Sequence, residues 1–140
     1  MIHQEELSVA TRGQALYELT GDVQRVVKAS RVMRGTCTLF VRHTSASLLI
    51  QENAADEVKT DMLAFFARLA PESAKYAHDD EGPDDMPAHI RSAVTRTNEV
   101  IPIADGKLVL GTWQGIYLAE HRHAHHERHV FVHVQGDARE

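Results

Sequence analysis

The chain predicts an α+β fold: one domain over residues 1–140, with largely antiparallel sheets and about three helices packed outside. Short runs rich in Val, Ile and Thr, alternating with period two, dominate the C-terminal third. Stretches with a helical apolar period interrupt and precede them. The length, 140 residues with 43% hydrophobic and 25% charged, suffices for one core without disulfides and falls short of two.

The elements follow in order. Leu7-Ser8-Val9-Ala10-Thr11 alternates and predicts an edge strand. Thr20 is expected to cap a first helix, with Asp22 in its first turn, Val23, Val26 and Val27 on its apolar face and Gly35 at its end. Thr36 to Val41 is β-branched and aromatic, hence a strand with Cys37, Leu39 and Val41 on one side. Leu48-Leu49-Ile50 continues extended. Asn53 is expected to cap a second helix in which Val58, Met62, Phe65, Phe66 and Leu69 form an apolar stripe, read as core, and Pro71 closes it. A loop from Glu72 to Met86 leads to a third helix from about Pro87 to Thr97, with Ile90, Ala93 and Val94 inward. The rest reads as β: Val100 to Ile103, a turn at Asp105-Gly106, then Leu108 to Leu110, Thr112 to Ala119 and His129 to Gln135. In the last of these Val130, Val132 and Val134 face one way and His129, Phe131 and His133 the other.

Fifteen Lys+Arg against twenty Asp+Glu give a formal charge of −5 with no long basic run, which argues against nucleic acid or an anionic membrane as partner. The single cysteine, Cys37, suits a reducing cytoplasm. Met1 to Glu6 has neither the basic start nor the apolar stretch of a signal peptide, and no apolar run approaches the ~20 residues of a membrane span, so a cytoplasmic location is expected. Ten histidines exceed what a core needs.

Three places could carry chemistry. Arg42-His43-Thr44-Ser45-Ala46-Ser47 interrupts two apolar runs, and Glu52 and Asn53 follow; such a polar cluster is either hydrogen-bonded in a turn or functional. No Gly-x-Ser-x-Gly surrounds Ser45 or Ser47, which argues against a serine hydrolase. From His78 to His89, five carboxylates and two histidines stand within twelve residues ahead of a helix. Such donors suit Mg²⁺, Mn²⁺ or Zn²⁺, and the helix start could hold a phosphate; the plain alternative is a solvated acidic loop in which Asp84 or Asp85 caps the helix. Trp113, between Gly111 and Gly115, reads as a core ring at a bulge or as a surface for stacking substrate. His121-Arg122-His123-Ala124-His125-His126 reads as an exposed, histidine-dense turn that binds metal adventitiously.

These stretches together resemble the YjbQ-like family, also called the secondary thiamine-phosphate synthase family. The resemblance rests on His43-Thr44-Ser45-Ala46-Ser47-Leu48 with Glu52-Asn53-Ala54, on Glu81-Gly82-Pro83-Asp84-Asp85-Met86-Pro87-Ala88-His89-Ile90, and on Ile101-Pro102-Ile103 leading to Leu110-Gly111-Thr112-Trp113-Gln114-Gly115-Ile116-Tyr117-Leu118 and Glu120. It implies a compact α+β homotrimer with a metal-bearing pocket between subunits, in which His43, His78 and His89 match the family's histidines. It further implies a metal-dependent enzyme acting on a small phosphorylated metabolite, joining a pyrimidine pyrophosphate to a thiazole phosphate with release of pyrophosphate. On that reading Asp84, Asp85 and Glu81 orient the ligands or move a proton, and Thr44, Ser45, Ser47, Asn53 and Trp113 hold the substrate and its phosphate. Two alternatives are a non-catalytic trimer binding metal or metabolite, and a metal-assisted phosphate-ester hydrolase. The chain departs from the family at Asn53-Ala54-Ala55-Asp56, where a carboxylate stands one position later, and in the His123 to His126 run.

Overall fold

A computed structural model describes residues 1–138. Among the described residues the elements run, in order, β1 (Ile2–Arg12), β2 (Ala15–Glu18), α1 (Thr20–Ser30), β3 (Val32–Val41), β4 (Ala46–Glu52), α2 (Asp56–Leu69), α3 (Asp85–Val94), β5 (Asn98–Ala104), β6 (Lys107–Leu108), β7 (Gln114–Glu120) and β8 (His125–Ala138). They form a five-stranded sheet in the order β1-β8-β3-β5-β6 and a three-stranded sheet in the order β2-β7-β4. Every strand pair is antiparallel. The α+β expectation with three helices therefore holds, and β1 is an edge strand as its alternation predicts.

Both sheets contribute to one core. Cys37, Leu39 and Val41 from β3 meet Val130, Val132 and Val134 from β8, Leu48 from β4, and Ile116 and Leu118 from β7, while Val23, Val26 and Val27 of α1 complete the cluster. The period-two pattern of β8 is obeyed: its three valines are fully buried and His129, Phe131 and His133 are half-buried on the other face. Asp105 and Gly106 both take positive φ, 52° and 74°, as the tight turn between β5 and β6 requires.

Several local expectations are corrected. Thr20 is the first residue of α1 and makes no side-chain cap; its Oγ1 instead accepts the Ile116 N–H at 2.9 Å, tying the helix to β7. The helix ends at Ser30, with Arg31 in the left-handed conformation at φ 63°. Gly35 lies inside β3, where a Cβ would stand 2.0 Å from the Gln135 carbonyl oxygen of β8, so glycine serves close strand approach and not a helix end. Asn53 does not cap α2, whose N-terminal neighbour is Ala55. The strand at Ala15–Glu18 has no counterpart in the sequence reading; it is four residues long, too short for alternation to register.

The second helix departs most. Phe66 is its one buried residue, whereas Phe65 is 49% exposed and Leu69 43%. It lies outside the three-stranded sheet, with Lys59 Nζ over the Tyr117 ring and Phe66 edge-on to His121. Amphipathicity thus marks an apolar face without saying that this chain covers it. The third helix begins at Asp85 and buries Asp85, Pro87, Ala88, Arg91 and Ser92, leaving Ala93 and Val94 exposed. Its inward face thus carries three polar side chains beside Pro87 and Ala88.

That polarity is part of a buried seam at one end of the small sheet. Glu120 and Arg128 are 1% and 5% exposed. Arg128 donates from Nε to Glu120 Oε1 at 2.7 Å and from Nη2 to Oε2 at 2.6 Å. Thr11 Oγ1 and the Arg122 N–H complete the carboxylate's partners. Burial pushes the Glu120 carboxyl up, but Arg128, Thr11 and the Arg122 N–H outweigh it and hold the group below its ordinary value. Removing one member of such a pair strands the other. Arg128→Met is expected to lower unfolding free energy by about 3–5 kcal/mol in urea titrations, and Arg128→Met with Glu120→Leu to recover more than half of that. Equal stability of the single variant and the wild type contradicts this account of the seam.

Candidate metal centre

Site geometry begins with α3. Asp84 and Asp85 stand at its start, both buried, and Arg122 from the β7–β8 connection reaches across to them. Its Nε donates to Asp84 Oδ2 at 3.1 Å, its Nη1 to Asp85 Oδ1 at 2.7 Å and its Nη2 to the Glu81 carbonyl at 3.1 Å. Asp84 Oδ2 also accepts the His123 N–H at 2.8 Å. Burial raises the Asp84 carboxyl, yet the His123 N–H and Arg122 prevail and leave it below its ordinary value. Asp84 is therefore a fixed anion that joins loop and sheet.

The second carboxylate is different. Asp85 Oδ2 is buried without a hydrogen-bond partner, and it faces His78 Nε2 at 3.1 Å and His89 Nε2 at 3.3 Å. An unpaired buried acceptor ordinarily costs about 1–3 kcal/mol, so this triangle calls for something between its corners. His89 is one helical turn after Asp85 on the same helix, which brings the two donors to one face. The far atoms of two of the side chains are held: His89 Nδ1 donates to the Thr44 carbonyl at 3.2 Å and Asp85 Oδ1 takes Arg122, while His78 Nδ1 lies 3.5 Å from the exposed Asp80 Oδ1. With its Nδ1 proton spent on Thr44, His89 turns the Nε2 lone pair toward Asp85. The three inner atoms lie within 4.8 Å of one another. Donors at ~2.0–2.1 Å from a tetrahedral ion are ~3.3 Å apart, so the spacing fits a small divalent cation with a fourth position open.

Of the residues singled out in the sequence, His78, Asp85 and His89 meet, and Glu81 and Asp84 stand beside them through Arg122. His43 is not among the three. Its Nε2 accepts the His129 N–H at 2.9 Å, and its ring stacks on His129. Ser45 Oγ accepts from Arg128 Nη2 at 2.9 Å, and Ser47 is fully buried, bonded to His121 Nε2 at 2.9 Å and to the Thr95 hydroxyl at 2.6 Å. Both hydroxyls complete the buried seam, which takes Ser47 out of reach of a phosphate. Thr44 contributes its backbone carbonyl to His89. Asn53 and Trp113 are joined to each other, Asn53 N–H to Trp113 O at 2.9 Å, at the opposite end of β4 from Ser47. Asn53 stands six positions along the chain from Ser47, about 20 Å in extended backbone. Trp113 is 63% exposed, so it is not a core ring.

The histidine-dense turn is also corrected. His121 is 2% exposed and Arg122 half-buried in the site, while His123 bonds to Glu72 at 2.9 Å. Arg122, Glu120, Arg128 and His121 were not named as site residues from sequence. A carboxylate at the end of Ile116-Tyr117-Leu118-Ala119-Glu120 was the available signal, since an apolar run ending in a charge demands a buried partner. A cavity of about 530 Å³ opens beside His78, lined by Glu72, Lys75, Tyr76, Gly82 and Met86 among others. A larger one, about 1190 Å³ beside Met1, Met33 and Gly136, holds none of the three donors.

Residues 5–137 match the profile of the YjbQ-like UPF0047 proteins. The chain belongs to the YjbQ-like UPF0047 family. It is 57% identical to a UPF0047 protein of Synechocystis sp. over 96% of this chain and 92% of that one. It is 38% identical to YjbQ of Escherichia coli O157:H7, over 98% of this chain and all of that one. A crystal structure of a YbjQ-like protein from Sulfolobus solfataricus superimposes with a TM-score of 0.91, at 27% identity and covering 98% and 99% of the two chains. A YjbQ/UPF0047 protein of Clostridium acetobutylicum gives 0.83 at 32% identity over 94% and 98%. Among the described residues, no helix is long and apolar enough to cross a membrane.

Burial holds the His121 imidazole down, with Arg91 adding to the effect, to a pKa of about 4 from the ordinary 6.5. In the unfolded chain the same ring protonates near its ordinary value, so acid favours unfolding. Stability is expected to fall as pH drops from about 6.5 toward 4, by up to about 3 kcal/mol from this residue. His121→Gln, which still bonds Ser47 but does not titrate, should flatten that part of the profile in urea titrations at each pH. An unchanged slope contradicts the assignment.

Proposed function

We propose that the chain holds one divalent cation on His78 Nε2, Asp85 Oδ2 and His89 Nε2, and with it binds and transforms a small phosphorylated substrate. The observation that carries the reading is the unpaired, buried Asp85 Oδ2 faced by two imidazole nitrogens. Two imidazoles and one carboxylate suit Zn²⁺ or Mn²⁺ better than Mg²⁺, which prefers oxygen and water. When bound, such a cation supplies the positive charge that phosphate or pyrophosphate oxygens need.

The chain's own residues do the rest. Thr44 O orients the His89 ring, and Arg122 turns Asp85 so that Oδ2 faces inward. Glu81 is the carboxylate left for moving a proton, because Asp84 and Asp85 are both bound to Arg122. The family resemblance adds a finer reading: condensation of a pyrimidine pyrophosphate with a thiazole phosphate, in a homotrimer. The uncovered apolar residues Phe65 and Leu69 of α2 and Val94 of α3 support association with further copies. One observation favours the non-catalytic alternative, a trimeric module that binds metal or metabolite: two of the three carboxylates expected to act as bases are held by a guanidinium.

The test is metal content after dialysis against a mild chelator, read by plasma mass spectrometry. The wild type is expected to retain about one ion per chain. His78→Ala, His89→Ala and Asp85→Asn should each lose at least the ~10–100-fold in affinity that outer partners of such sites contribute. Replacing His123, His125 and His126 together should leave the ion in place. The reverse pattern overturns the assignment.

A further inference from the structure

Where α1 ends, the chain builds a second hollow that shares no residue with the cation centre. It has a volume of about 470 Å³ and lies between the last turn of α1 and the β5–β6 turn, lined by Lys28, Arg31, Met33, Asp105, Gly106 and Lys107 among others. That falls within the ~300–1,000 Å³ typical of small-molecule sites. Its walls are fixed to each other. Gln24 of α1 donates from Nε2 to the Gly106 carbonyl at 3.3 Å and accepts the Leu108 N–H at 3.1 Å, and the Gly106 N–H donates to the Met33 carbonyl at 3.1 Å. Val27 and Val32 behind them are sealed in the core. The apolar surface that a ligand meets is therefore the half-buried Met33 side chain and the methylene stems of the three basic residues.

Charge and backbone both set this hollow apart. Lys28, Arg31 and Lys107 are exposed, and none of their side chains makes a hydrogen bond or ion pair among the described residues. Asp105 alone opposes them in the lining, three cations to one carboxylate, on a chain whose formal charge is −5. The helix end does not need them as partners: Ser30 Oγ donates to the Val27 carbonyl at 2.5 Å, and the Arg31 N–H to the Lys28 carbonyl at 3.2 Å. Arg31 itself stands at φ 63°, the left-handed region that glycine fills without strain at a helix end. An arginine there keeps a guanidinium at the rim of the hollow at a cost in backbone energy.

We propose that this hollow binds a small carboxylate with an apolar body. The body lies on Met33 and the basic residues' stems, and the carboxylate takes the Arg31 guanidinium with Lys28 and Lys107 beside it. A bare anion leaves the apolar wall unused, and an uncharged apolar molecule leaves three cations unused. The site is independent of the cation centre and binds its ligand whether or not an ion is held there.

The probe is sodium octanoate, titrated into the full chain carrying ¹³C-methyl methionine and followed by NMR, with acetate and 1-octanol as controls. Octanoate should bind saturably, moving the methyl resonance of Met33 and not that of Met86, which lines the cavity beside His78. Acetate should bind at least about tenfold more weakly for want of apolar burial, and octanol at least about twofold more weakly for want of charge. Lys107→Gln and Arg31→Gly should each weaken octanoate about two- to fivefold, the range for exposed ion pairs. Glycine also relieves the left-handed position, so the urea midpoint of Arg31→Gly should match or exceed that of the wild type while its binding falls. A lowered midpoint assigns the arginine to the helix end and overturns its role at the rim. Wild-type octanoate affinity in both variants overturns the site, as does acetate or octanol binding as tightly as octanoate. A shift confined to Met86 overturns it too, by moving the carboxylate to the cation centre, and a wild type that binds no octanoate at millimolar concentration overturns it outright.

Discussion

Arg122 ties the loop and the third helix to the sheet through a planar fork that reaches Asp84, Asp85 and the Glu81 carbonyl at once. Two adjacent buried carboxylates repel each other, and the helix start alone offers only a partial positive charge. A guanidinium satisfies both with charge-assisted bonds in a geometry that an ammonium cannot reproduce. Because Arg122 takes Oδ1 of Asp85, only Oδ2 remains, and it faces the two imidazoles. The candidate centre is thus a consequence of how the β7–β8 connection is anchored. Glu120 secures the other side by accepting the Arg122 backbone N–H at 3.1 Å.

The polar residues at the end of the small sheet divide into two sets. Glu120, Arg128, Thr11, Ser45, Ser47, Thr95 and His121 satisfy one another in a buried seam. Asp85, His78, His89, His43 and Ser92 each keep one polar atom without a full partner. In a well-packed protein such atoms are few, and their clustering around one helix separates a place for ligands from a place for structure.

Much of the fold was legible because period-two alternation and β-branched runs report burial directly. Cys37, Leu39 and Val41 in β3 and the three valines of β8 fall where the pattern puts them. Helix faces were less legible. The stripe of α2 is real, yet only Phe66 is buried, since amphipathicity cannot tell an intrachain partner from another copy. The inward face of α3 mixes Asp85, Arg91 and Ser92 with the small Pro87 and Ala88, so it carries little apolar signal. In the site, His78, His89 and Asp85 were visible as a dense run of ligand-type residues in one loop. Arg122 was hidden within a histidine-rich turn, and the fates of Ser45 and Ser47 depended on residues some eighty positions away. Long-range pairing of that kind leaves no local mark.

The central claim is that one chain supplies two imidazoles and one carboxylate to a single cation. X-ray absorption at the zinc edge of the zinc-loaded wild-type protein tests it most directly. The account predicts a shell of nitrogen and oxygen at ~2.0–2.1 Å, with the outer scattering of two imidazole rings, and loss of one ring's signal in His89→Ala. A shell with three or more imidazoles that His78→Ala and His89→Ala leave unchanged would contradict it and move the metal to the His123–His126 turn.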